Sequence, residues 1–278
     1  MLAHVLSKLS PSRSIGPSIF GQGAAWLTLL PFAVYCFVYP FGILLLSFDW
    51  MPFGMEWMSS LLLGMLGLSC VGWLWANLGG LGFLLGVLIF SLGVALEYVG
   101  VLTGFPFGAY RYTGVLVPDL PGGVPLAMGF AWLAVIVGGH FTARRASPVA
   151  RTRAGNVVAL SLVGGLLAVG LDLLLEPVAY HVKGYWQWLP GDGAYYGIPV
   201  SNFVAWFLAA ALFNLPLAFL SSRQREWAWP WLPVALYVMN VIMFGIVNLA
   251  HGFWLAGFMG LMLSLTLLVL RPARVRWP

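Results

Sequence analysis

Charge is the scarcest thing in this sequence. Its 278 residues include 13 Lys+Arg and 8 Asp+Glu, so only 8% of the chain is charged. An ordinary soluble domain carries about 25%, and the deficit excludes that class. Cysteine is nearly absent too. Cys36 and Cys70 both sit inside apolar runs, with no CxxC and no Cys/His ligand spacing, so they read as small apolar packing residues. The four histidines are scattered. No HxxxH or HxxHH cluster occurs, which argues against a di-iron desaturase or hydroxylase. No DDxxD or NDxxD run occurs, which argues against Mg-diphosphate chemistry. No GxGxxG or GxxxxGK stretch occurs, so no nucleotide is implied. The residues therefore call for no cofactor and no metal. No internal repeat, low-complexity tail or long linker is visible.

What the sequence does contain is apolar. Hydrophobic residues make up 61%, with 14 Trp and 34 Gly. This composition suits a helical membrane protein, where aromatics sit at interfaces and glycine lets helices approach closely. The fold class expected is all-α, a polytopic transmembrane bundle. Each span needs about 20 apolar residues, and eight runs qualify: 24–46, 57–76, 79–101, 124–142, 155–175, 198–220, 230–249 and 252–270. Tight turns at 77–80 and 250–252 separate two of the pairs. The first run is long enough to span and no small-residue cleavage site follows it, so it reads as a span rather than a leader. The domain plan is a tail at 1–23, one membrane domain at 24–270 and a basic tail at 271–278.

The net charge of +5 does not point to nucleic acid, because the basic residues fall in short loops between apolar runs. There they report orientation. With the N-terminus inside, Lys8, Arg13, Arg144, Arg145, Arg151, Arg153, Arg223, Arg225, Arg271, Arg274 and Arg276 are inside, and only Arg111 and Lys183 are outside. Seven spans would put the C-terminal arginines outside, so eight spans with both termini cytoplasmic are expected. The setting is the inner or plasma membrane.

That orientation gathers the polar residues on one side. Glu97 ends the third run, and Asp172 and Glu176 end the fifth. Ionisable groups in a membrane segment are costly, so a functional site is the default hypothesis. Asp172 and Glu176 are four apart, on one helical face, with Cβ atoms about 6 Å apart. Two carboxylates that close in poorly hydrated surroundings do not both ionise readily, so one is expected to hold a proton near neutral pH. That supplies a general acid beside a base. The plainer reading makes Glu176 a membrane-edge residue before Pro177 and Asp172 a cap or pairing group. For Glu97 the plainer reading is a buried pair with Arg111 or Lys183.

Gly104-Phe105-Pro106-Phe107-Gly108 cannot easily continue a helix. At membrane depth such a segment must line a cavity or be buried in protein, and it reads as a re-entrant or interfacial lid. Tyr110 and Tyr112 follow it; Trp186, Trp188, Tyr195 and Tyr196 answer from the next outer loop. These aromatics read either as an interface belt or as walls that stabilise a cation and seat a long apolar ligand. Asn202, early in the sixth span, and His251, in the outer turn before the eighth, complete the candidate set. His251 reads as a proton relay or a plain turn residue, and His140 as structural. Gly82/Gly86 and Gly100/Gly104 have GxxxG spacing, which serves packing within the chain and dimerisation equally, so the oligomeric state stays open.

Two blocks together resemble the membrane carotenoid biosynthesis family, of the bisanhydrobacterioruberin hydratase and carotenoid 1′,2′-hydratase type. The first is Glu97…Gly100…Gly104-Phe105-Pro106-Phe107-Gly108-Ala109-Tyr110-Arg111-Tyr112, then Val124-Pro125. The second is Asp172, Glu176-Pro177, Trp186-Gln187-Trp188, Tyr195-Tyr196-Gly197-Ile198-Pro199 and Asn202-Phe203…Trp206. The similarity covers about 25–270, and one departure is Glu176, where the family often has aspartate. The resemblance implies hydration of the terminal C1=C2 bond of a ψ-end carotenoid, a substrate drawn from the membrane lipid, with water as co-substrate and no cofactor. Protonation at C2 gives a tertiary cation at C1, which water captures. On this reading Asp172 is the acid, with Glu176 favouring its protonation, and Glu97 orients or deprotonates the water. Asn202, Tyr110 and Tyr196 hydrogen-bond the water or the carboxylates. The acid and base roles among the three carboxylates stay interchangeable at this level. A cofactor-free end-group cyclase would share the protonation but needs a dry, aromatic-only pocket. A proton-coupled transporter or lipid-binding protein should show inverted repeats and midplane broken helices, and neither is visible.

Overall fold

The eight apolar runs fold as eight helices in a computed structural model, which describes residues 19–146, 152–222 and 226–269. They are α1 Ile19–Ser47, α2 Trp57–Leu78, α3 Gly80–Thr103, α4 Ala127–Ala146, α5 Arg153–Pro177, α6 Val200–Ser221, α7 Leu232–Ala250 and α8 Trp254–Val269. A π-helical turn, Val178–Val182, extends α5. Both tight turns form at a glycine in the left-handed region, Gly79 at φ +61 and Gly252 at φ +77. The C-terminal tail at 271–278 and most of the N-terminal tail at 1–23 lie outside the described residues. So do His4, Lys8, Arg13, Arg151, Arg223, Arg225, Arg271, Arg274 and Arg276.

Six helices are long and apolar enough to cross a bilayer. The other two differ for separate reasons. Helix α8 has 16 described residues, about 24 Å at 1.5 Å per residue, against a hydrocarbon core of about 30 Å. Helix α4 is long enough, with 20 residues, but less apolar, and 15 of those residues are buried. It touches α2, α3, α5, α6 and α7. A helix ringed by protein need not dissolve in lipid, and polar groups in membrane segments face such interiors. The lipid-facing work falls to the other helices, whose outward Phe37, Leu84, Leu166, Leu208 and Leu212 are all more than half exposed.

Helices meet closely where glycine removes the side chain. A Cβ on Gly72 would stand 2.5 Å from the backbone of α1 at Leu27 and Thr28, and one on Gly260 would stand 2.7 Å from the Cα of Gly245. The GxxxG glycines also pack within the chain: Gly82 against Leu74, Gly86 against Val71, and Gly100 against Phe107 and Tyr110.

At one end of the bundle the architecture departs from purely helical. Two three-residue strands, β1 Tyr110–Tyr112 and β2 Trp186–Trp188, pair antiparallel, with Tyr110 opposite Trp188, Arg111 opposite Gln187 and Tyr112 opposite Trp186. The ribbon joins the loop after α3 to the loop after α5. It lies over the ends of α3 and α5 and the starts of α4 and α6, where the candidate residues collect.

Candidate active site

Side chains alternate across a strand, and this sorts the ribbon. Arg111 and Gln187 point out, with Arg111 Nε and Nη2 donating to Gln187 Oε1 at 3.0 and 2.7 Å. Tyr110, Tyr112, Trp186 and Trp188 point in. Each strand serves one carboxylate. From β1, the Tyr110 and Tyr112 hydroxyls donate to Glu97 Oε2 at 2.6 and 2.7 Å. From β2, the Trp186 and Trp188 indole N–H groups donate to Glu176 Oε2 at 3.1 and 3.0 Å.

The loop reaches Glu97 because α3 ends abruptly. Gly104 caps it in the left-handed conformation at φ 75, its N–H bonded to the Gly100 carbonyl. The chain then folds back along α3 and lies directly on Gly100. A Cβ there would sit 2.7 Å from the Tyr110 hydroxyl and 2.8 Å from the Phe107 ring. The missing side chain is what lets a phenol reach the carboxylate one turn earlier. Of the segment read as a lid, Phe107 packs inward at 2% exposed, while Phe105 stays 73% exposed.

The bundle supplies the remaining donors. Trp132, on central α4, donates its N–H to Glu97 Oε1 at 2.8 Å and stacks on Trp206 of α6 with ring centroids 4.5 Å apart. Asn202 spans the pair on α5: its Nδ2 donates to Asp172 Oδ2 at 2.8 Å and to Glu176 Oε1 at 3.2 Å. Glu97 and Glu176 thus each accept three hydrogen bonds, Asp172 accepts one, and Asp172 Oδ1 is buried with no hydrogen-bond partner among the described residues. All three carboxylate residues are at most 4% exposed. Burial pushes the Tyr110 and Tyr112 hydroxyls well above the usual phenol range, and the Glu97 charge adds to it. Both therefore stay protonated donors.

Between these groups lies a cavity of about 20 Å³, walled by Glu97, Glu176, Asn202, Tyr110 and Tyr112 and closed by Phe107, Met128, Trp186, Trp188 and Trp206. A water molecule needs about 10–15 Å³ by the same measure, and two to four polar partners, and this cavity offers both. Asp172 is not on its wall; it reaches the cavity through Asn202.

The other sequence-predicted residues stand further off. The Tyr195 hydroxyl donates to the Leu173 carbonyl at 2.7 Å and the Tyr196 carbonyl meets His181 Nε2 at 2.8 Å. Their rings pack on Phe203 and Phe253, so both brace the loop instead of lining the cavity. His251 bonds the Leu46 carbonyl at 2.7 Å and sits 3.9 Å from Asp49, tying the α7–α8 turn to the end of α1, away from the cavity. His140 bonds Ser221 Oγ at 2.9 Å, remote from the site. The plainer reading of Glu97, a buried pair with Arg111 or Lys183, finds no such contact among the described residues. Arg111 is taken by Gln187, and hydroxyl and indole donors replace a cation at Glu97. Among the described residues no three His, Cys, Asp or Glu side chains cluster as a metal site requires. Trp132 and Met128 were not singled out from sequence. A tryptophan inside an apolar run carries the only usable signal, since a buried indole N–H needs an acceptor.

The chain is 29% identical over 182 residues to bisanhydrobacterioruberin hydratase of Haloarcula japonica, a match covering 62% of this chain and 57% of that protein. The chain thus spans little more than half the length of that relative. No solved structure matches it. Residues 56–267, which include every residue on the cavity wall, match the family described as carotenoid biosynthesis protein, and the chain belongs to that family.

Proposed function

We propose that the protein is a carotenoid hydratase that adds water across the terminal C1=C2 bond of a ψ-end carotenoid of the lycopene, γ-carotene or bisanhydrobacterioruberin type. The observation that carries this is the water-sized cavity bounded by two carboxylates, an amide and two phenols, with three indole rings, Phe107 and Met128 on its remaining walls. Hydration needs one proton, one held water and a place for a transient cation. The Asp172–Glu176 pair shares a proton as a unit, and Glu176, on the cavity wall, is the member that passes it to C2. The C2–H bond forms from the alkene pair and leaves a tertiary cation at C1. The Trp186 and Trp206 rings stabilise it through their faces. Water held by Glu97 and Tyr112 adds to C1 and gives its surplus proton to Glu97, which leaves a tertiary alcohol. That proton returns to the pair across the cavity, so no redox partner is consumed. The relative's name, which specifies a carotenoid hydratase, supports the same reaction class.

The test is product analysis in membranes of cells that accumulate lycopene or γ-carotene. Expression of the chain should yield a more polar pigment heavier by one water. A pigment of changed spectrum and unchanged mass would instead identify an end-group cyclase, and no new pigment from either substrate would reject hydration of those carotenoids.

A further inference from the structure

A second cavity, about 120 Å³, adjoins the first and is almost wholly apolar. Val38 and Gly42 of α1, Leu62 and Leu66 of α2, Val135 of α4 and Phe244 of α7 are among its walls. It shares Met128, Trp186 and Trp206 with the water-sized cavity. We propose that this cavity binds the hydrocarbon chain of the substrate, and that those three shared side chains are the partition across which the end group meets the carboxylates. The occupant's identity as a polyene rests on the hydratase reading above.

Several features argue for an occupant. Protein interiors are close-packed, and an empty apolar volume costs stability. Here the void is built in by a glycine. Gly42 is buried, yet a Cβ placed on it would meet nothing within 4 Å. A larger residue there would fill the space and also suit the helix better. The Tyr35 side chain, 2% exposed, lies on the same wall with Asn240 as its polar neighbour. The cavity reaches from Tyr35 to Leu46 along α1, about 16 Å at 1.5 Å per residue. A chain able to span the bilayer core of about 30 Å therefore enters only in part. One end is engaged at a time, with the remainder left in lipid.

The experiment uses the full chain purified into lipid nanodiscs with lycopene. Gly42→Phe fills the cavity from α1, and Val135→Phe fills it from α4 as a second variant. Gly64→Phe is the control, because a Cβ on Gly64 also meets nothing within 4 Å and that residue is off the cavity wall. Bound lycopene per protein is read by absorption and by quenching of tryptophan fluorescence, beside product formation. Both filling variants should lower bound lycopene at least about tenfold, a 1.4 kcal/mol loss, and lower product with it, while Gly64→Phe changes neither. Wild-type binding in folded Gly42→Phe and Val135→Phe would overturn the chain site, and so would a wild-type protein that holds no lycopene. The two readings separate cleanly. Binding that the filling variants abolish, in a protein that makes no hydrated product, keeps the chain site and removes the hydratase. Product that survives both variants does the reverse.

Discussion

Glu97 and Glu176 each receive three donors and Asp172 only one, and that difference predicts how the α5 pair tolerates substitution. Asp172 takes one hydrogen bond, from Asn202, and leaves Oδ1 bare. In Asp172→Asn the amide oxygen keeps the Asn202 contact and the amide nitrogen replaces an oxygen that already has no partner, so no existing hydrogen bond is lost and the fold should hold. On the proposed mechanism the shared proton goes, and with it a general-acid contribution of about 10²–10⁴ in rate. Near-native thermal stability with a rate loss of that order is the expected pair of results; wild-type turnover would remove Asp172 from the proton chemistry. Glu176→Gln should fare worse. Its amide must turn N–H groups toward Asn202 or toward two indoles, all of them donors, and a buried unsatisfied donor costs about 1–3 kcal/mol. Comparing melting temperatures of the two variants checks this ordering. At this scale the sequence was half legible. The four-residue spacing of Asp172 and Glu176 marked a pair on one helix face. Nothing local to residue 132 announced that its indole would serve a carboxylate 35 residues away.

The ribbon is the element that turns separate helix ends into a site. Its strands are too short for periodicity to reveal them, which is why the chain reads as purely helical. A trace exists in the one-residue spacing of Tyr110 and Tyr112 and of Trp186 and Trp188, since alternate residues share a strand face. The register that places these rings opposite each other is a long-range property, set by where α3 and α5 end. Gly100 is therefore the residue on which the ribbon's seating depends. Gly100→Val puts a branched side chain where the Phe107 ring and the Tyr110 hydroxyl already stand, and the loop must lift away from Glu97. The expected outcome is loss of most activity, together with exposure of loop 104–112 to limited proteolysis. Arg111→Ala, which removes an exposed contact with Gln187, should cost less than about 1 kcal/mol and leave activity nearly intact. Equal effects from the two variants would mean that the loop does not depend on contact with α3.

At the scale of the molecule, what a helix touches explains its composition better than whether it crosses the membrane. Helix α4 is ringed by five others. It carries His140, Thr142, Arg144 and Arg145 toward one end while presenting Met128 and Trp132 to the site at the other. That polarity matches the basic residues. Arg144, Arg145 and Arg153 share the end of the bundle opposite the ribbon, and Arg111 and Lys183 belong to the ribbon end. Cytoplasmic loops are enriched in Lys and Arg, so the ribbon, the carboxylates and the water-sized cavity should face the non-cytoplasmic side. Single cysteines on a Cys36→Ala/Cys70→Ala background test this in intact cells. A cysteine at Asp119, in the ribbon-end loop, should label with a membrane-impermeant maleimide. One at Arg145 should label only after the cells are opened. The reverse pattern would turn the protein over and place the ribbon end at the cytoplasmic leaflet. It would leave the site's internal geometry unchanged, because that geometry depends on helix ends and donors and not on which compartment lies beyond them.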